Sequence, residues 1–185
     1  SKPNSARGSK TGWAKYTQIK CIGTGAFGSI WLVDGNAHEG GSAGKFVCKQ
    51  VHVANLNKKE LKDAVNEVYI LQMLEHPNII DYLDHFVDSE GYLNIVMEYC
   101  AGGDLNELIV EQRKGGNTNY FTEHQVVYLS FQLLQALKYL HGIKVLHRDL
   151  KPGNVLLADK GRIKICDFGI SKRLTETVHA QTVVG

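Results

Sequence analysis

The run His147-Arg148-Asp149-Leu150-Lys151-Pro152-Gly153-Asn154, followed by Asp167-Phe168-Gly169, constrains this 185-residue chain more than any other feature in it. Between the two motifs lie two short strand-like stretches, 155–157 and 162–166, turned by Ala158-Asp159-Lys160-Gly161. The motifs therefore sit on loops at the two ends of a hairpin. Two Asp and an Asn on such loops supply the oxygen donors that Mg²⁺ takes, with slack for water and phosphate, and a carboxylate able to act as a general base. A lone acidic loop residue reads as a turn cap. Two complete motifs at hairpin distance set that reading aside.

Upstream the pattern is different. Strand-like runs at 16–22, 29–33 and 45–53 are punctuated by glycine and polar residues, with a loose hairpin over 34–44. A helix follows. Asn57 and Glu60 form a capping-box signature, Leu56 and Leu61 can staple across it, and Leu61, Val65, Val68 and Leu71 recur at helical spacing up to Pro77. Two more strands are expected at 80–87 and 92–99 around Ser89-Glu90-Gly91, then a break at Gly102-Gly103 and a short helix over 104–111. A second capping box, Thr122 with Gln125, stapled by Phe121 and Val126, opens a long helix carrying Val127, Phe131, Leu134, Leu137 and Leu140 and stopping at Gly142. Five strands with one inserted helix, then a mainly helical part, make an α+β chain. The expected division is a flexible tail over 1–15, a sheet-rich part over 16–100 and a helical part over 101–185.

Gly23-Thr24-Gly25-Ala26-Phe27-Gly28 lets a backbone approach phosphates closely. A plain glycine-rich hairpin turn is the competing reading. A dinucleotide-binding turn would need a helix straight after Gly28, but Ser29-Ile30-Trp31-Leu32-Val33 is strand-like. Lys49 stands in the apolar run Phe46-Val47-Cys48-Lys49, where burial requires a partner; an exposed position on an edge strand is the alternative. Glu60, Asp63 and Glu67 share a face of the following helix, and Glu67, away from both caps, is the best placed to reach Lys49.

Composition excludes little. The net charge of +2 comes with no long basic block, so neither nucleic acid nor a membrane surface is indicated as a partner. No apolar run is long enough to cross a bilayer. Cys21, Cys48, Cys100 and Cys166 lie far apart with no paired spacing, which argues against a zinc site and fits reduced thiols in a cytoplasmic or nuclear protein. Of the four, Cys166, next to Asp167, is expected to be the most ligandable.

From about Tyr16 to Gly185 these motifs, in this order, resemble the catalytic domain of eukaryotic serine/threonine protein kinases. Within that family the chain is most similar to the NIMA-related (NEK) kinases, through Leu93-Asn94-Ile95-Val96-Met97-Glu98-Tyr99-Cys100, Gly102-Gly103-Asp104-Leu105, Asp167-Phe168-Gly169-Ile170 and Ala180-Gln181-Thr182-Val183-Val184-Gly185. The resemblance implies a two-lobe fold and transfer of the ATP γ-phosphate to protein Ser or Thr hydroxyls, with Mg²⁺ as cofactor. It also implies a link to the cell cycle or to the cilium or flagellum, and a cytoplasmic, nuclear or cytoskeleton-associated protein. It assigns the α- and β-phosphates to Lys49, paired with Glu67. Asp149 takes the substrate hydroxyl and its proton, Lys151 the γ-phosphate, and Asn154 and Asp167 the metal. The adenine lies among Ile22, Ile30, Val47 and Leu156, hydrogen-bonded to the backbone at Glu98 and Cys100 behind Met97. The phosphates lie under Gly23, Gly25 and Gly28, and the ribose near Asp104. Leu71, Tyr82, His147 and Phe168 form a stacked column, unless Tyr82 turns into the site as an autoinhibitory group. Thr182 is the activating phosphosite, read by Arg148.

Gly153 departs from the family pattern, in which a side chain is usual. Both ends of the chain look cut, with the C-terminal end inside the activation loop, so the piece alone is expected to be a poor kinase. The alternative is an inactive kinase fragment or a nucleotide-binding scaffold, which would normally have lost Lys49, Asp149 or Asp167.

Overall fold

The computed structural model describes residues 12–25, 28–36, 43–114, 121–169 and 171–173. The two strand-like runs flanking the glycine motif pair antiparallel as β1 (Tyr16–Gly25) and β2 (Gly28–Gly35), from Tyr16 opposite Gly35 to Gly25 opposite Gly28. A strand, not a helix, follows Gly28, as the sequence requires. Gly28 has φ 151°, and a Cβ there would lie 1.7 Å from the Gln50 carbonyl oxygen, so no other residue fits. With β3 (Gly44–His52), β4 (Tyr82–Val87) and β5 (Tyr92–Glu98) these strands form a five-stranded antiparallel sheet in the order β1-β2-β3-β5-β4.

The strand period of two sorts β3 into two faces. Cys48 belongs to a core cluster with Tyr16, Val33 and Val96, covered by Trp13, Trp31, Phe46, Leu83 and Phe86. Asn94 is fully buried on this sheet, and its amide is used completely. Its Oδ1 accepts from Gln50 Nε2 at 2.9 Å and from the Cys48 thiol at 3.6 Å. Its Nδ2 donates to Asp88 Oδ2 and to the Tyr92 carbonyl, both at 2.9 Å.

The expectation of a flexible tail over 1–15 needs correction at its end. Gly12–Ala14 is a 3₁₀ turn docked on β4. The Trp13 ring meets Phe86 edge-on at 5.2 Å, and its Nε1 donates to Asp88 Oδ2 at 3.2 Å. Lys15 Nζ lies 2.9 Å from Asp84 Oδ2, to which the Tyr16 hydroxyl also donates. An indole has a large apolar surface to bury and one donor to satisfy, and the aromatic face of the sheet offers both.

α1 (Lys58–Met73) begins at the expected capping box: Glu60 N donates to Asn57 Oδ1 at 3.0 Å and Asn57 N to Glu60 Oε2 at 2.9 Å. The stripe it buries is Ala64, Glu67, Val68, Ile70 and Leu71, while Leu61 and Val65, expected on the apolar face, are exposed. The chain then divides into two units, Ser1–Leu61 with Tyr82–Tyr99, and Lys62–Asp81 with Cys100–Gly185. One division falls between Tyr99 and Cys100, and 62–81, expected in the sheet-rich part, groups with the second unit. Its hydrogen bonds explain this. Ile165 N donates to the Asn78 carbonyl and Ile80 N to the Ile165 carbonyl, each at 2.9 Å. The strand expected from residue 80 accordingly starts only at Tyr82.

In the second unit α2 (Leu105–Lys114) is capped by Asp104, whose Oδ1 accepts from Glu107 N at 2.8 Å. α3 (Glu123–Gly142) opens on the full Thr122–Gln125 capping box. β6 (Val145–Leu146) pairs with β9 (Lys172–Arg173), and β7 (Val155–Leu157) with β8 (Ile163–Ile165). The face α3 buries carries Gln132, Ala136 and Leu140; Val127, Phe131 and Leu134, expected in the apolar stripe with Leu140, are 58–63% exposed. The buried Gln132 replaces an apolar contact with hydrogen bonds to Asn78, the Gly161 carbonyl and Ile163 N. Among the described residues no helix is long and apolar enough to cross a membrane.

Candidate active site

In the first unit the sheet carries the glycine motif, Lys49 and Glu98. Ile30 pairs with Gly23 on one side and with Lys49 on the other; Val47 pairs with Met97 and Phe46 with Glu98. Alternation puts Ile30, Val47, Lys49 and Met97 on the face opposite the Cys48 cluster. Ile30 is 39% exposed there, and Ile22, at the register shift between Cys21 and Gly23 on β1, is 44% exposed. Tyr82, beside Met97 on β4, has its hydroxyl hydrogen-bonded to His85 Nδ1.

The second unit holds the carboxylates. Asp149, Lys151 and Asn154 converge: Lys151 Nζ lies 2.7 Å from Asp149 Oδ2, and Asn154 Nδ2 donates to the same oxygen at 3.0 Å and to the Asp149 carbonyl at 2.8 Å. The Lys151 hydrogen bond, with that of Asn154, holds the Asp149 carboxyl below its usual value, and Asp149 in turn raises Lys151. With both its amide protons turned to Asp149, the buried Asn154 keeps its amide oxygen for another partner. His147, buried, accepts from Asp149 N at Nδ1, so its Nε2 carries the proton and donates to the Cys166 carbonyl at 2.9 Å. Its ring lies 4.8 Å from that of the fully buried Phe168. Among the described residues, two of the four non-glycine positions with left-handed backbone fall in these loops, Arg148 at φ 71° and Asp167 at φ 62°. Backbone held in that region concentrates at functional sites.

Glu67 and Asp167 approach the same glycine. A Cβ on Gly169 would lie 3.4 Å from Asp167 Oδ1 and 3.5 Å from Glu67 Oε2. Asp104 forms a backbone bridge to Leu156, and Cys100 is buried. Lys49 belongs to the first unit and Glu67 to the second; Glu98 and Cys100 fall on either side of the joint. Thr182 lies outside the described residues. Ser171 and Asn66, which sequence reasoning did not single out, also enter this group. Ser171 Oγ donates to the His147 carbonyl at 2.9 Å, and Asn66 Nδ2 to the Ser171 carbonyl at 3.0 Å. No local pattern signals either; only the fold brings them together.

No set of three or more His, Cys, Asp or Glu among the described residues is arranged to hold a metal by itself. Mg²⁺ keeps water and takes one or two protein oxygens beside substrate phosphates. Asn154 and Asp167 are donors of that kind.

The protein kinase domain model matches residues 16–185. Among curated proteins the chain is 38% identical to the serine/threonine-protein kinase nekl-2 of Caenorhabditis elegans, over 92% of this chain and 48% of that protein. It is 38% identical to the probable serine/threonine-protein kinase nek2 of Dictyostelium discoideum, over 92% and 40%, and 39% identical to the serine/threonine-protein kinase Nek9 of Xenopus laevis, over 92% and 17%. The chain thus spans half or less of the length of these relatives. A five-stranded antiparallel sheet, a mainly helical second unit, and an Asp–Lys–Asn loop beside an Asp-Phe-Gly turn are what that match requires, and this chain belongs to the protein kinase family, with NEK serine/threonine kinases among its relatives.

Proposed function

We propose that the protein carrying this chain transfers the γ-phosphate of Mg²⁺-ATP to serine or threonine hydroxyls of other proteins. The observation that carries the reading is the convergence of Lys151 and Asn154 on one oxygen of Asp149. A carboxylate held ionised, with its second oxygen directed elsewhere, suits a group that orients a hydroxyl and accepts its proton. Lys151, anchored beside it, faces the γ-phosphate. Asn154 and Asp167 hold Mg²⁺, which neutralises phosphate charge when bound. Lys49, with Glu67, holds the α- and β-phosphates. Ile22, Ile30, Val47 and Leu156 enclose the adenine, the Glu98 and Cys100 backbone fixes its edge, Gly23, Gly25 and Gly28 lie over the phosphates, and Asp104 meets the ribose with the carboxylate oxygen that its helix cap leaves over. Such catalysis is positioning and charge neutralisation, so each charged group weighs heavily.

Thr182 is part of the same proposal as an activating phosphosite, with the exposed Arg148 as its reader. A reducing compartment, cytoplasm or nucleus, suits four cysteines that lie far apart in the sequence with no paired spacing. Calorimetric titration of the full-length protein with ATP, with and without Mg²⁺, tests the nucleotide reading. Metal-dependent binding that Lys49→Met weakens is expected. No binding, or binding indifferent to Mg²⁺, would make the chain a scaffold.

A further inference from the structure

We propose that Asn66 is a positioning residue for phosphotransfer, acting through Ser171 on the two loops that carry Asp149 and Asp167; the proposal rests on the kinase reading above. Ser171 is buried, 4% exposed, and three of its polar groups are spent on three different pieces of the second unit. Its N–H donates to the Phe168 carbonyl at 2.9 Å, closing the turn that follows Asp167. Its hydroxyl donates to the His147 carbonyl at 2.9 Å, two residues before Asp149. Its carbonyl accepts from Asn66 Nδ2 at 3.0 Å. The residue is therefore a junction between the Asp-Phe-Gly turn, the Asp149 loop and α1.

Helix geometry makes the α1 contribution specific. Successive residues on a helix point about 100° apart. Glu67 reaches Gly169, where a Cβ would stand 3.5 Å from its Oε2, while Asn66 reaches Ser171. Of these two consecutive side chains, Glu67 stands beside Gly169, and Asn66 makes the hydrogen bond that ties Ser171 to the helix. His147 extends the link: its Nδ1 accepts from Asp149 N at 3.3 Å, so movement of the His147 backbone displaces the proposed base directly. Losing the Asn66 bond leaves the Ser171 carbonyl with an unfilled acceptor in a part-buried place and frees α1 from the junction. The nucleotide's base contacts lie elsewhere, so the chemical step suffers more than ATP binding does.

The test compares the full-length protein with its Asn66→Ala, Asn66→Asp and Asn66→Gln variants, well below their melting temperatures. Asn66→Ala is expected to lower kcat about tenfold while KM for Mg²⁺-ATP stays within about twofold, the signature of a misplaced reacting group. Asn66→Asp has the same shape but no N–H to donate and should fall at least as far; Asn66→Gln keeps the donor and should recover part of the loss. A kcat unchanged in Asn66→Ala, or a rise in KM that matches the whole loss, overturns the proposal. Amide exchange at Ser171, followed residue by residue without nucleotide, gives an answer independent of activity. It should speed up about tenfold in Asn66→Ala, as expected when a closing bond is loosened. If the unsubstituted protein transfers no phosphate, the kinase reading fails and exchange alone decides the junction; equal exchange in both proteins then rules it out.

Discussion

Lys151 Nζ lies 2.7 Å from Asp149 Oδ2, and that contact is the largest of those that favour the ionised form of the proposed base. The Lys151 hydrogen bond, with that of Asn154, depresses Asp149 below its usual 3.8, so the carboxylate stays ionised to lower pH than a free one. Any stability the pair lends on the Asp149 side is present above that usual value and lost as pH falls through the depressed one. On the Lys151 side it is present below the usual 10.5 and lost as pH rises through the raised value. Both groups face solvent, so the effect shows in the rate profile more than in the melting temperature. Lys151→Ala should lower kcat and move the acid limb of kcat/KM to higher pH. An acid limb that stays in place would detach Asp149 from it.

Trp13 gives a prediction for the sheet. Asp88 is lightly desolvated, which alone would raise it, but hydrogen bonds from Tyr92 N, Asn94, Trp13 and Glu90 N lower its pKa overall. Trp13→Phe keeps a ring against Phe86 and removes one donor, so it should cost about 1 kcal/mol in stability. Trp13→Ala also exposes the aromatic face and should cost about 3 kcal/mol or more. Chemical denaturation measures both; a silent Trp13→Ala would mean that the 3₁₀ turn is not docked in solution.

Two glycines of the loops separate cleanly. A Cβ at Gly153 meets nothing within 4 Å, so Gly153→Ala should stabilise the protein by about 0.4–1 kcal/mol, with activity kept. At Gly28 the Gln50 carbonyl occupies the Cβ position, and Gly28→Ala should weaken ATP binding and lower the melting temperature together. Thermal melts and Mg²⁺-ATP titrations of the two variants check the contrast.

Cysteine labelling ranks the thiols. Burial, with the nearby Asp88, pushes the Cys48 thiol up to about 12, so it should stay unlabelled in the native protein, as should the buried Cys100. Cys21 is exposed and Cys166 partly so. With a nucleotide-site electrophile Cys166 should label and ATP should protect it. Labelling of Cys21 without Cys166, mapped by mass spectrometry, would remove Cys166 from the proposed cleft.

Thr182→Ala should lower activity far more than Thr175→Ala, because a phosphate of about two negative charges at Thr182 is proposed to pair with Arg148. The reverse order refutes the assignment.

Features decided by neighbours in the chain were legible in the sequence. The capping boxes at Asn57 and Thr122, the strand after Gly28 and the hairpin between Asn154 and Asp167 depend on residues three to a dozen apart. Features decided at long range were not. Gln132, a polar residue, is the buried one on α3 because Asn78 and β8 supply its partners, while Phe131 next to it is exposed. Residues 62–81 join the second unit through Asn78 and Ile80, and Trp13 finds Asp88 across 75 positions. Asn66 and Ser171, 105 positions apart, carry no signature of their own.

The most direct test of the account is phosphotransfer by the full-length protein to a serine/threonine substrate, measured beside Asp149→Asn and Lys49→Met. Asp149→Asn should keep Mg²⁺-ATP binding and the fold while kcat drops by a factor on the order of a hundred or more, as loss of a positioned catalytic group does. Lys49→Met should lose a comparable factor. Near-normal turnover in either variant, or none in the unsubstituted protein under conditions where it binds Mg²⁺-ATP, would contradict the assignment of these loops to catalysis.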